Sequence, residues 1–124
     1  MCLSKKVLFV FGIALCLLLG FAKLTIALEP VKEISSVCMV NDKFMGIPQI
    51  EVHVQNKTYY GCCKSCKQTL RHTSQSRYAI DPFDGSTVDK AQAFVAKDSK
   101  NNVYYFKDES NYSSYHSGKE QSPQ

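Results

Sequence analysis

The chain is poor in the patterns that mark enzymes. No Ser/His/Asp arrangement, glycine-rich phosphate loop or pair of carboxylates at catalytic spacing stands out among its 124 residues. Nothing therefore points to nucleophilic hydrolysis, nucleotide chemistry or general acid–base work, and the sequence reads as that of a non-enzyme. No strong internal repeat is present. Histidine is scarce, with only His53, His72 and His116. A charge excess of one sign is also missing once the N-terminus is set aside. Lys5, Lys6 and Lys23 account for three of the 15 basic residues, leaving 12 against 11 acidic ones. Phosphate binding needs clustered Lys and Arg, so a net charge near +1 argues against a nucleic-acid partner.

What is present begins with an apolar N-terminus. Lys5 and Lys6 precede an uncharged run from Val7 to Ala22, and Thr25 and Ala27 supply small residues at the −3 and −1 positions of a cleavage site. This pattern predicts a secretory signal over residues 1–27. The alternative is an uncleaved anchor, although the uncharged run falls short of the roughly 20 apolar residues a membrane span requires. Cys16 suggests a lipoprotein start less well, because bulky Leu15 precedes it. The expectation is an exported protein, periplasmic or otherwise extracytoplasmic, that touches a membrane only through an uncleaved N-terminal segment.

The remaining length allows one domain. Ile50, Val52 and Val54 alternate with Glu51, His53 and Gln55, which predicts a half-buried strand. Gln55-Asn56-Lys57 reads as a turn and Thr58-Tyr59-Tyr60 as the return strand. After Cys66, Lys67–His72 contains no breaker and fits a short helix, and a start near Lys64 would place Cys66 in its first turn. Tyr78–Ile80 reads as extended, and Asp81-Pro82-Phe83-Asp84-Gly85 as a turn. Ala91–Ala96 and Val103–Phe106 read as a second strand pair across the polar loop 97–102. Asp108 is placed to cap a last helix reaching about Tyr115.

Four cysteines lie beyond the signal: Cys38, Cys62, Cys63 and Cys66. Three chemistries compete for them. In an exported chain the default is two disulfides, but adjacent Cys62 and Cys63 would need separate, crowded partners. Cys63-Lys64-Ser65-Cys66 is a C-x-x-C that allows thiol–disulfide exchange, without the βαβ pattern that usually accompanies it. The spacing favours the third: a thiolate metal site in which a distant Cys38 joins a close group at the start of a helix. Thiolates are soft donors suited to copper(I) or zinc. Met39, beside Cys38, offers a thioether that would favour copper(I), or else packs in the core. Cys63 or Met39 is the expected fourth ligand.

These residues resemble the TRASH and YHS metal-binding domains. The resemblance is carried by Cys38-Met39-Val40, by Lys57-Thr58-Tyr59-Tyr60-Gly61-Cys62-Cys63-Lys64-Ser65-Cys66, and by Leu70 with Arg77-Tyr78. It implies a treble-clef-like module with Cys38, Cys62 and Cys66 at the family's ligand positions. Gly61 stands where those domains usually have an aromatic residue. Tyr78–Pro82 and Val88–Val95 are more loosely similar to NosL-like copper accessory proteins.

The expected fold is α+β, a β-hairpin and helix holding the metal, followed by a second hairpin and short helix. A linker over 28–37 would lead into the cysteine-rich module at 38–80. A second hairpin–helix element at 81–116 would pack on it, and a polar tail at 117–124 would be disordered. Asp81, Asp84 and Asp89 read as solvated turn residues, and His53 as solvent-facing. His72 sits at the helix end, where a favourable dipole interaction explains it as well as a ligand role does. The expected function is metal handling or delivery, with a metal-donating or metal-receiving protein as partner; the alternatives are a thiol–disulfide redox protein using Cys63 and Cys66, or a structural zinc-stapled interaction module.

Overall fold

The computed structural model describes residues 26–120, with side chains through residue 118. The expected signal at 1–27 falls almost wholly outside the described residues. Within them, no helix is long and apolar enough to cross a membrane.

The fold is α+β, as the patterning predicts. A three-stranded antiparallel sheet is formed by β1 (Glu29–Pro30), β8 (Phe94–Lys97) and β9 (Val103–Phe106), with β8 in the middle. Three two-stranded antiparallel pairs accompany it: β2 (Val37–Cys38) with β3 (Lys43–Phe44), β4 (Ile50–Val54) with β5 (Lys57–Gly61), and β6 (Tyr78–Ile80) with β7 (Thr87–Asp89). The helices are α1 (Lys64–His72) and α2 (Glu109–Glu120).

The β4–β5 hairpin turns at Gln55 and Asn56, both with positive φ, which suits a two-residue hairpin turn. Lys57 thus belongs to the return strand, opposite Val54. Val52 is buried as the alternation predicts, but Ile50 stays exposed. Its cross-strand partner is Gly61, which offers no side chain to cover it.

Helix α1 buries Cys66 and Leu70, four residues apart and so on one face. The Arg77 side chain donates to the Leu70 carbonyl at 2.7 Å, satisfying an acceptor near the helix end. Leu70 joins the main core with Val37, Met39, Val52, Tyr59, Val88, Val95, Val103 and Tyr105. This core draws on residues from both halves of the chain, and the β6–β7 hairpin spans the expected boundary at 80/81. A smaller aromatic cluster seats α2, where Tyr112 and Tyr115 pack against Phe106 at ring separations of 5.5 Å.

Several sequence expectations are corrected. The stretch 28–37 is not a free linker: Leu28 is buried, β1 pairs with β8, and Val31 N–H donates to the Val95 carbonyl. The strand expected at 91–96 begins only at Phe94, because Asp89 accepts the Ala91 amide and holds 90–93 in a turn. Helix α2 runs past Tyr115 to Glu120, so 117–120 are helical, and 121–124 lie outside the described residues. Asp108 does cap it, accepting from the Asn111 amide. Asp81 and Asp89 are not solvated. Asp81 is fully buried, its carboxylate accepting from the Phe83 and Lys107 amides and the Asn111 side chain. Asp89 accepts from Lys57 at 2.6 Å and from the Tyr59 hydroxyl.

Candidate metal centre

The centre is assembled from the β2–β3 turn and the junction of β5 with α1. Val37, in β2, and Met39, in the turn after it, are buried in the apolar core, while Cys38 between them lies beside Cys62 and Cys66. The Met39 amide donates to the Tyr60 carbonyl at 2.9 Å, which docks the turn against the end of β5 and sets Cys38 beside Cys62. Lys90, itself buried, donates to the Met39 carbonyl at 2.6 Å and to Asp42 at 2.7 Å, fixing the turn from below.

The other sulfurs come from residues 62–66. Cys63 is the N-cap of α1 in extended conformation, and its sulfur accepts from the Cys66 amide at 3.4 Å. Cys66 lies in the first helical turn and faces back toward Cys62, with a sulfur separation of 3.6 Å. It approaches β5 closely because Gly61 has no side chain: a Cβ there would lie 2.9 Å from the Cys66 Cβ.

The Sγ atoms of Cys38, Cys62 and Cys66 all lie within 4.8 Å of one another. Among the described residues, this is the group of three or more His, Cys, Asp or Glu donors close enough to share an ion. The Cys38–Cys66 separation is 3.9 Å. A disulfide would bring sulfurs to about 2.05 Å, and the four cysteines among the described residues are free. Four thiolates about 2.3 Å from one ion stand about 3.8 Å apart in a tetrahedron, and three in a plane about 4.0 Å apart. The observed separations fit a shared soft ion and do not fit sulfur–sulfur bonds.

The electrostatics are uneven. Burial, the largest influence on Cys38, works to raise its pKa but is outweighed. Hydrogen bonds from the Asn41 backbone, the Cys62 side chain, and the Cys62 and Val40 backbones leave it below the ordinary thiol value. Converging amides of this kind favour a thiolate. Cys63 is also lowered, chiefly by the Cys66 backbone N–H at the helix start. Cys62 is raised, first by its hydrogen bond with Cys38. Burial and the bonds with Cys63 and Cys62 push Cys66 up to about 12. Within the cluster, Cys38 and Cys63 are thus shifted down and Cys62 and Cys66 up.

The remaining residues singled out in the sequence divide clearly. Cys63 touches Cys66 at 3.4 Å but lies outside the mutual group of three, and is exposed. Met39 is fully buried in the apolar core. His53 pairs with Thr58 and His72 with Gln68, both on the surface, and His116 packs against Tyr112. Four contributors escaped the sequence reading. Asn41 donates to the Cys62 sulfur at 3.5 Å, Asp42 and Lys90 brace the Cys38 turn, and Gly61 admits Cys66. Only Gly61 carried a sequence signal, as a glycine ending an aromatic strand.

Residues 43–77 match the archaeal TRASH domain, a metal-binding domain. The match covers β3 through the turn after α1 and contains Cys62, Cys63 and Cys66, while Cys38 lies just before it. No curated protein and no solved structure matches the chain, and the looser NosL-like similarity receives no support.

Proposed function

We propose that this chain is an exported metal-handling protein that binds copper(I), or alternatively zinc, through thiolates of Cys38, Cys62 and Cys66. Its work is to hold an ion and pass it to or from a partner protein, without turning over a substrate. The observation that carries this reading is the mutual approach of three free thiols within 4.8 Å, drawn from segments more than 20 residues apart. Copper(I) is favoured because the mutual group supplies three soft sulfurs, whereas a structural zinc site takes four closed ligands. Zinc would need a fourth donor, and Cys63 is the nearest sulfur, 3.4 Å from Cys66. Export rests on the N-terminal sequence and delivery on the half-buried and exposed positions of Cys62 and Cys63.

Elemental analysis of the full chain, reduced and loaded with copper(I) or zinc, tests this. One ion per chain is expected, with Cys38→Ser losing most of it. Failure of the wild type to retain either ion, or full retention by Cys38→Ser, would overturn the reading. A second reading, thiol–disulfide exchange by Cys63 and Cys66, is favoured by their 3.4 Å sulfur separation at a helix N-terminus. It predicts dithiol reactivity that Cys38→Ser leaves unchanged.

A further inference from the structure

The four sulfurs form a graded path from core to solvent. Cys38 is fully buried, Cys66 nearly so, Cys62 is half-buried and Cys63 is exposed. The steps are short: 3.9 Å from Cys38 to Cys66, 3.6 Å from Cys62 to Cys66, and 3.4 Å from Cys63 to Cys66. Cys63 stands apart from the mutual group of three yet touches its central member. Its cap on α1 does not account for the sulfur, because Ser, Asp or Asn caps a helix well without one.

We propose that Cys63 is the relay thiol of this centre, making the first bond to an arriving ion and the last to a departing one, while Cys38, Cys62 and Cys66 hold it. The inference rests on the metal-binding reading above and assigns to Cys63 a kinetic role distinct from the three holding thiols. An ion arrives bound to the thiolate of a donor. The Cys63 sulfur bonds to it as one donor sulfur–metal bond breaks, and the proton leaving Cys63 goes to the departing donor sulfur. As the ion moves inward, new bonds form to Cys66, Cys62 and Cys38 and the bond to Cys63 breaks. One of the three displaced protons returns to Cys63 and two pass to water. No electrons are transferred and the metal keeps its oxidation state. Departure reverses these steps.

The experiment follows copper(I) exchange between the full reduced chain and bicinchoninate, in both directions, for wild type and Cys63→Ser. Serine keeps a good helix cap, so α1 is preserved. The substitution is expected to leave one bound ion per chain and nearly the same affinity. It should slow uptake and release together by about tenfold or more, a change in barrier without a change in binding. Alkylation of the copper-loaded wild type with N-ethylmaleimide, mapped by mass spectrometry, should modify Cys63 and spare the other three. Unchanged exchange rates overturn the proposal. So does loss of stoichiometric binding in Cys63→Ser, or protection of Cys63 equal to that of Cys38, since either makes it a permanent ligand. If the wild type binds zinc but no copper(I), the relay falls and the metal-binding reading stands; if it retains neither ion, both fall. If it binds one ion but Cys63→Ser exchanges at the wild-type rate, only the relay falls.

Discussion

Gly61 lies directly beneath Cys66, so close that a methyl group on the glycine would meet the Cys66 Cβ at 2.9 Å and the Cys66 carbonyl carbon at 3.3 Å. One contact is backbone, so neither can swing aside, and α1 must lift from the end of β5 to make room. Gly61→Ala is therefore expected to cost about 1–3 kcal/mol, the usual range for overpacking a tight site. It should also draw the Cys66 sulfur away from those of Cys38 and Cys62. A lower urea midpoint together with metal affinity weakened by about tenfold would be the result. A Gly61→Ala chain with wild-type affinity would show that the centre tolerates a displaced helix.

Met39 offers a cleaner separation of core from ligand. Its side chain lies in the apolar core with Val37, while Cys38 lies beside Cys62 and Cys66. Met39→Leu conserves volume and should cost less than about 1.5 kcal/mol. Copper(I) and zinc stoichiometry should be unchanged in competition titrations. A drop in copper(I) affinity with zinc affinity retained would place the thioether on the ion instead.

The contrast between Cys38 and Met39 shows what the sequence could and could not convey. The hairpin at 50–61 and helix α1 were legible because alternation and an unbroken run are local signals. The thiol group was legible because its spacing brackets a helix start. Strands β1 and β2 span two residues each, too short for any period, so the different surroundings of Cys38 and Met39 could not be read. Burial of Asp81 and Asp89 was hidden for another reason. Their partners Asn111, Lys107 and Lys57 lie 26 to 32 positions away, and only the folded chain brings them together.

Lys90 illustrates how an indirect contact supports the centre. Its ammonium group is buried and donates both to the Met39 carbonyl and to Asp42. Asp42 is 45% exposed, so water can replace its share and the ion pair itself contributes little. The buried bond to the Met39 carbonyl matters more. Lys90→Met should cost about 1–3 kcal/mol, the penalty of removing a donor from a buried acceptor. Because that carbonyl follows Cys38 in the chain, thermal unfolding of the metal-free form should shift down. Metal loading should restore part of the loss, since an ion bound to the folded state alone stabilises it.

The Lys57–Asp89–Tyr59 network makes stability depend on pH on both the acid and the alkaline side. Burial acts to raise the Asp89 carboxyl, but the Lys57 ammonium, the Ala91 amide and the Tyr59 hydroxyl outweigh it and hold it below its ordinary value. The folded chain therefore binds that proton less readily than the unfolded one. This stability is complete above the unfolded carboxyl range, about pH 4 to 5, and is lost as pH falls through the lowered folded value. The alkaline side has the opposite sign. Tyr59 is pushed up to about 12 by burial and by Asp89, and Lys57 is raised chiefly by its bond to Asp89. Their contribution is complete below about pH 10 and fades as pH rises through the elevated folded values. Cys66, also pushed up to about 12, adds to the alkaline loss whether or not Asp89 is present. The informative comparison is therefore wild type against Asp89→Asn, through urea midpoints of the metal-free chain across the full pH range. The variant should be less stable near neutrality and flatter on both limbs. Parallel curves, offset by a constant amount at every pH, would mean that the carboxylate charge plays no part and that Asp89 acts only as a neutral hydrogen-bond acceptor.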